Sequence, residues 1–138
     1  MAKAIGNNLS VIQLISYLKT KTENYYKGMI KLFHDVSQHC SKAVTEKYST
    51  SFSSAIKLLH PDLRVPIYNI YGFVRFADEI VDTFHQYKKE ELLTEFKKDT
   101  YAAIERGISL NPILHSFQIT VREYNICPDL IESFFNSM

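Results

Sequence analysis

Residues 67–84 constrain this chain more than any other stretch. Ile67, Ile70, Phe73, Val74, Phe76, Ala77, Ile80, Val81 and Phe84 cover nearly the whole circumference of a helix. A helix that is apolar almost all round is a buried one. Its remaining strip carries Tyr71, Arg75, Asp78 and Asp82, spaced four, three and four residues apart, so they stack turn on turn. Carboxylates set in the wall of a buried helix are costly unless they meet cations. One arginine cannot neutralise Asp78, Asp82 and the adjacent Glu79. The simplest remaining source of positive charge is a hard divalent cation, and oxygen ligands favour Mg²⁺. Magnesium held by one or two carboxylates takes its other ligands from water and substrate phosphates. The strip therefore reads as a site for a diphosphate carried by metal. The plainer reading is a solvated acidic pair with an ordinary Arg75–Asp78 contact, and the apolar surroundings weigh against it.

The rest of the chain predicts helices throughout. Ile30, Phe33, Val36, Cys40, Ala43 and Val44 make one apolar stripe; Phe52, Ala55, Ile56 and Leu59 make another, stopped by Pro61. A long helix is expected from about Asp62 to His85, with Pro66 near its start. A helix from Glu90 to Arg106 should end on a left-handed Gly107. Asn111-Pro112 and Pro128 should open two more helices. The charge run over residues 88–98 fits a solvated face. No alternating β pattern persists, so the fold class is an all-α helical bundle.

At 138 residues, 46% hydrophobic and 22% charged, the chain has the size and composition of one globular domain. A net charge of +1 gives no electrostatic footprint for nucleic acid. Cys40 and Cys127 stand in no ligand spacing and read as reduced, buried thiols of a cytoplasmic protein. His34, His39 and Cys40 cluster in sequence, but satisfied or surface histidines are a better reading than zinc. No segment has the length of a transmembrane span. Residues 9–18, with Leu9, Ile12, Ile15, Tyr17 and Leu18, suit an amphipathic helix docked on the body. Peripheral membrane association is the minority option.

Read in order, the motifs say more. Tyr48-Ser49-Thr50-Ser51-Phe52 is followed by Leu58-Leu59-His60-Pro61-Asp62-Leu63-Arg64, then by Ile70-Tyr71-Gly72-Phe73-Val74-Arg75 and Asp78-Glu79-Ile80-Val81-Asp82. The series resembles the squalene and phytoene synthase family, the head-to-head prenyl transferases, over roughly residues 33–138. The Asp-Glu form of the acidic motif is slightly closer to phytoene synthases. The resemblance implies an isoprenoid synthase-type helical bundle and Mg²⁺, with Mn²⁺ as the alternative ion. It implies prenyl diphosphate substrates. The expected reaction is condensation of geranylgeranyl diphosphate to phytoene, a step of carotenoid biosynthesis. Squalene or dehydrosqualene synthesis from farnesyl diphosphate is the runner-up. A catalytically inactive helical fragment or a non-enzymatic relative is the alternative of another class.

By the same resemblance, Asp78 and Asp82 hold the metal and Arg75 binds diphosphate. Tyr71 lines the pocket near the departing phosphate, Ser49 and Ser51 donate to diphosphate, and Phe52 stands beside the carbocation. Ser49 has a plainer role as a helix cap, and Phe52 and Tyr71 as core residues. No second D-x-x-x-D follows residue 82, and the family carries one further on. The expectation is an N-terminal half of such a synthase over 29–138, with 1–28 as a partly helical extension. The apolar face of Leu130, Ile131, Phe134, Phe135 and Met138 is expected to lack its partners.

Overall fold

A computed structural model describes the backbone from residue 3 to residue 138 and the side chains from residue 11 onward, so the Leu9 side chain lies outside the described residues. Among the described residues six helices follow one another: α1 (Lys3–Tyr48), α2 (Thr50–Ile56), α3 (Pro61–Asp82), α4 (Lys89–Arg106), α5 (Pro112–Glu123) and α6 (Pro128–Asn136). No strand occurs among the described residues. No described helix is long and apolar enough to cross a membrane. The chain divides into two compact units, Met1–Phe33 and His34–Met138. In the first, Ile12, Tyr17 and Leu18 lie exposed along the helix, and the Tyr25 and Tyr26 rings meet edge to face at 5.9 Å.

The boundaries of the second unit follow local chemistry. Ser49, in extended backbone, caps α2 by accepting the Phe52 N–H at 3.2 Å. His60 caps α3, and Pro61 takes the first helical position, where its missing N–H costs nothing. Glu90 and Glu91 sit at the positive end of α4 and Arg106 at its negative end. Gly107, at φ 73°, closes α4 in the left-handed conformation and returns its N–H to Ala103. The Asn111 side chain accepts the Ile113 and Leu114 N–H groups ahead of Pro112. Each start or stop expected from these residues falls within a few positions of the observed one.

The core gathers where α3, α4 and α5 pack on one another. Phe73 is its centre. Its ring stacks on Phe117 at 3.8 Å and on Phe96 at 5.5 Å, with Phe134 at 5.3 Å and Phe135 at 5.8 Å. Such a cluster supplies both apolar burial and ring–ring attraction. Here one expectation fails. Ile131 and Phe135 are buried, and Phe134 and Met138 pack on the same core. Within that apolar face Leu130 is the residue that stays open, 65% exposed. α6 packs on the aromatic cluster because Phe134 and Phe135 both reach the Phe73 ring.

A second correction concerns α1. Its buried face is Ser37, Ser41 and Thr45, all fully enclosed, while Val36 and Ala43 are exposed. The apolar stripe placed Cys40 and Val44 against the core but missed the hydroxyl side of this face, because the seam is built on close approach rather than on bulk. Ser41 Oγ lies 2.5 Å from Ser116 Oγ of α5, and Thr45 donates to the Ser41 carbonyl at 2.9 Å. A methyl group at Gly72 of α3 would stand 3.0 Å from Ser41 Oγ and 3.2 Å from Ser41 Cα. Small hydroxyl residues thus bring helices together while their oxygens stay paired. Asn69 of α3 adds a bond to Thr120 of α5 at 3.0 Å. Cys127 departs from expectation as well: it is exposed ahead of α6, and Cys40 is half-buried; both thiols are free.

Candidate functional site

The strip read from the sequence lies on α3, with Tyr71, Arg75 and Asp78 half-buried and Asp82 exposed at the last turn. Phe73 and Ile80 turn the opposite side into the core; Val74 and Val81 are half-buried. The helix is therefore embedded on one side and open on the other.

Arg75 organises the open side. Its guanidinium donates to Glu79 Oε2 at 2.7 Å and lies over the Tyr48 ring, 4.5 Å from the centroid. The partner is Glu79, one turn on, not Asp78. Burial works against the Arg75 charge. The Glu79 bond and charge, with Tyr48 and Asp78 adding, more than offset it and raise the guanidinium above its ordinary value. Glu79 is held below the usual carboxylate range, first by the Thr83 hydroxyl, then, against burial, by Arg75 and Tyr48. The Arg75 Nε is shielded from solvent and meets no acceptor among the described residues. A buried N–H without an acceptor is costly, and an incoming anion would relieve it.

Beside Arg75, the Tyr71 ring stacks on Phe52 with centroids 4.9 Å apart. This brings α2 against α3 and joins two of the residues singled out in the sequence. Ser49 is engaged as the α2 cap; the same hydroxyl still carries a proton to donate. Ser51, next in α2, is exposed.

Asp78 and Asp82 lie a turn apart on the same face, and neither forms a salt bridge among the described residues. No group of three or more possible metal ligands sits together among the described residues. His34 instead meets the buried His115 ring at 5.0 Å, and His39 Nδ1 bonds the Asp35 carbonyl at 2.7 Å.

Asp78 and Asp82 stand outside the lining of the neighbouring cavity. That cavity, of about 410 Å³, has Tyr48 and Glu79 in its lining. Phe76, Ile80 and Phe84 of α3 line it with Leu92, Glu95, Phe96 and Asp99 of α4. Sequence reasoning missed Tyr48 as a member of the site and counted Glu79 only among the carboxylates that need a cation. For Glu79 the signal was present in its i, i+4 spacing from Arg75. For Tyr48 there was none, since its approach to Arg75 needs the α1–α2 junction to turn back.

Fold and strip together define an all-α bundle with an arginine-bearing acidic helix packed into its core. The squalene/phytoene synthase family matches over residues 45–138, and the chain belongs to that family of prenyl transferases. A similar curated protein is the bifunctional protein CrtB/UppS of Streptomyces coelicolor, 26% identical over 96 residues. The match spans 70% of this chain and 17% of that protein. No solved structure matches significantly.

Proposed function

We propose that this chain serves the head-to-head condensation of two prenyl diphosphates, with geranylgeranyl diphosphate to phytoene as the reaction. The observation that carries the reading is the Arg75 guanidinium: braced by Glu79 and Tyr48, with a shielded Nε that lacks an acceptor. A planar guanidinium offers paired donors to phosphate oxygens.

The residues fit a magnesium ion as far as they go. Asp78 and Asp82 would hold it, and two carboxylates suffice when water and phosphate supply the other ligands. Bound there, the ion would neutralise charge on the leaving diphosphate. The chain's own groups do the rest. Arg75 binds and orients the diphosphate. The Ser49 and Ser51 hydroxyls donate to it. The stacked faces of Phe52 and Tyr71 favour positive charge developing on the allylic carbon. The apolar floor of the neighbouring cavity suits the isoprenoid chain and excludes water from the cation.

Calorimetric titration of the chain with a non-hydrolysable geranylgeranyl diphosphate analogue, with and without Mg²⁺, tests the site. Radiolabelled geranylgeranyl diphosphate then tests turnover to phytoene. Mg²⁺-dependent binding should fall at least tenfold in Asp78→Asn with the fold intact. Binding that ignores Mg²⁺, or is unchanged in Asp78→Asn, refutes the site. Magnesium-dependent binding without a prenyl product refutes catalysis by this chain and leaves the site standing.

A further inference from the structure

A second cavity, of about 520 Å³, lies between α1 and the first turns of α3. Lys42 of α1, Lys57 at the end of α2 and Arg64 of α3 line it, and the buried Tyr68 ring forms part of its wall. Three cations from three elements meet there, against Asp35 as the lining carboxylate, in a chain whose net charge is only +1. Two neighbouring carboxylates lie outside the lining and in solvent: Glu46 stands 3.8 Å from Lys42 in a half-exposed pair, and the Asp62 side chain is 84% exposed. Arg64 is fixed by its Nε, which donates to the Leu59 carbonyl at 3.0 Å. Lys42 is positioned over the Tyr68 ring at 5.9 Å. His39 in the lining has its Nδ1 turned to the Asp35 carbonyl at 2.7 Å. The amino end of α3 adds its partial positive charge.

We propose that this cavity is a metal-independent binding site for a phosphate-bearing anion, held by Lys42, Lys57 and Arg64. The clustered charges attract the anion without a divalent ion, and the anchored guanidinium gives it direction. The site is separate from the Arg75 strip. Arg64 and Arg75 are eleven residues apart on one helix, about 16 Å along its axis at 1.5 Å per residue. The proposal therefore stands whether or not the chain transfers prenyl groups. Its ligand is either a soluble diphosphate or the phosphate of a lipid headgroup.

The test keeps metal out. The 138-residue chain is titrated with inorganic diphosphate in EDTA, and in parallel sedimented with phosphatidylglycerol or phosphatidylcholine vesicles. Variants are Lys57→Gln, Lys57→Gln with Arg64→Gln, and Arg75→Gln, each checked by circular dichroism. Lys57 is exposed, so its variant keeps the test sound if loss of the Arg64 anchor disturbs folding. Expected is metal-free diphosphate binding weakened about threefold or more by Lys57→Gln and tenfold or more by the pair. Binding confined to phosphatidylglycerol vesicles, with the same dependence on Lys57, assigns the lipid source. Binding to neither probe overturns the proposal. So does binding indifferent to Lys57 and Arg64, or binding abolished by Arg75→Gln alone, which would place the anion on the strip.

Discussion

Replacing Gly72 with alanine should destabilise the protein, although alanine is the better helix former. Within a helix the exchange is favourable by about 1 kcal/mol from backbone entropy. Gly72, however, is where α3 passes Ser41 of α1. The added methyl would stand 3.0 Å from Ser41 Oγ, 3.1 Å from its Cβ and 3.2 Å from its Cα. A rotated hydroxyl could relieve the first contact, but the Cα is backbone and must move with its helix. That movement also stretches the bond between Ser41 and Ser116, which are both buried. Overpacking of this kind costs about 1–3 kcal/mol. The net effect is a loss of up to about 2 kcal/mol, or up to about 8 °C in melting temperature for a unit of this size. Gly28 is the control, since nothing lies within 4 Å of a methyl placed there. Gly28→Ala should raise helix content by the propensity gain alone. Urea unfolding followed by circular dichroism measures both. A Gly72→Ala protein more stable than the parent would refute the close-approach argument.

Phe73→Ala should cost about 3–5 kcal/mol in urea unfolding, because the removed ring is shared by Phe96, Phe117, Phe134 and Phe135. Arg75→Lys should weaken Mg²⁺-dependent binding of the geranylgeranyl diphosphate analogue tenfold or more while circular dichroism stays unchanged, since a point charge replaces a fork. Acid should destabilise the fold from two directions. Glu79 and Glu132 have depressed folded values, so their contribution is complete above the ordinary carboxylate range and is lost as pH falls through those values. The Glu132 shift comes from Lys97 and then Tyr101. His115 is depressed by burial and then by His34, so its contribution, present above the ordinary imidazole value near 6.5, is lost as pH falls below it. Urea midpoints between pH 8 and 4 should fall in both ranges, and a flat profile would count against these assignments. At the alkaline end, burial and then Glu132 push Tyr101 up to about 12, so its contribution is full below pH 10 and fades toward 12.

The helices were legible because their ends are written in local chemistry: Ser49, Pro61, Gly107, Asn111 and Pro128 each do what their type does best. The embedding of α3 against α4 and α5 followed from its apolar residues, although its other side stays open. What hydrophobicity could not show was the α1 seam. Ser37, Ser41 and Thr45 look like a solvated face until Gly72 and Ser116 are seen to lie against them. The spacing of Tyr71, Arg75, Asp78 and Asp82 gave their shared face, because that is set by the turn of one helix. It could not give the Phe52–Tyr71 stack or the Tyr48–Arg75 contact, which depend on how α1 and α2 fold back. Nor could it show α6 covering the aromatic core, since a face rich in Phe reads the same whether its partners are near or missing.

Glu79 bears on how one helix would serve the amphiphilic substrate proposed above. Successive residues of a helix are rotated by about 100°. The strip of Arg75, Asp78 and Asp82 and the apolar row of Phe76, Ile80 and Phe84 are therefore adjacent faces of α3, and Glu79 stands on the border. Its carboxylate bonds Arg75 on one side and lines the cavity on the other. A prenyl diphosphate has the same division, an anionic head joined to an apolar chain. With its head at Arg75, its tail would cross the border at Glu79 toward Phe76 and Ile80. Glu79→Gln keeps the shape of that border and removes its charge. It should leave Arg75 less firmly held, and so weaken binding of the diphosphate head more than entry of an uncharged prenyl alcohol. Equal loss for both ligands would mean that Glu79 only supports the cavity wall, and that head and tail are not divided along this line.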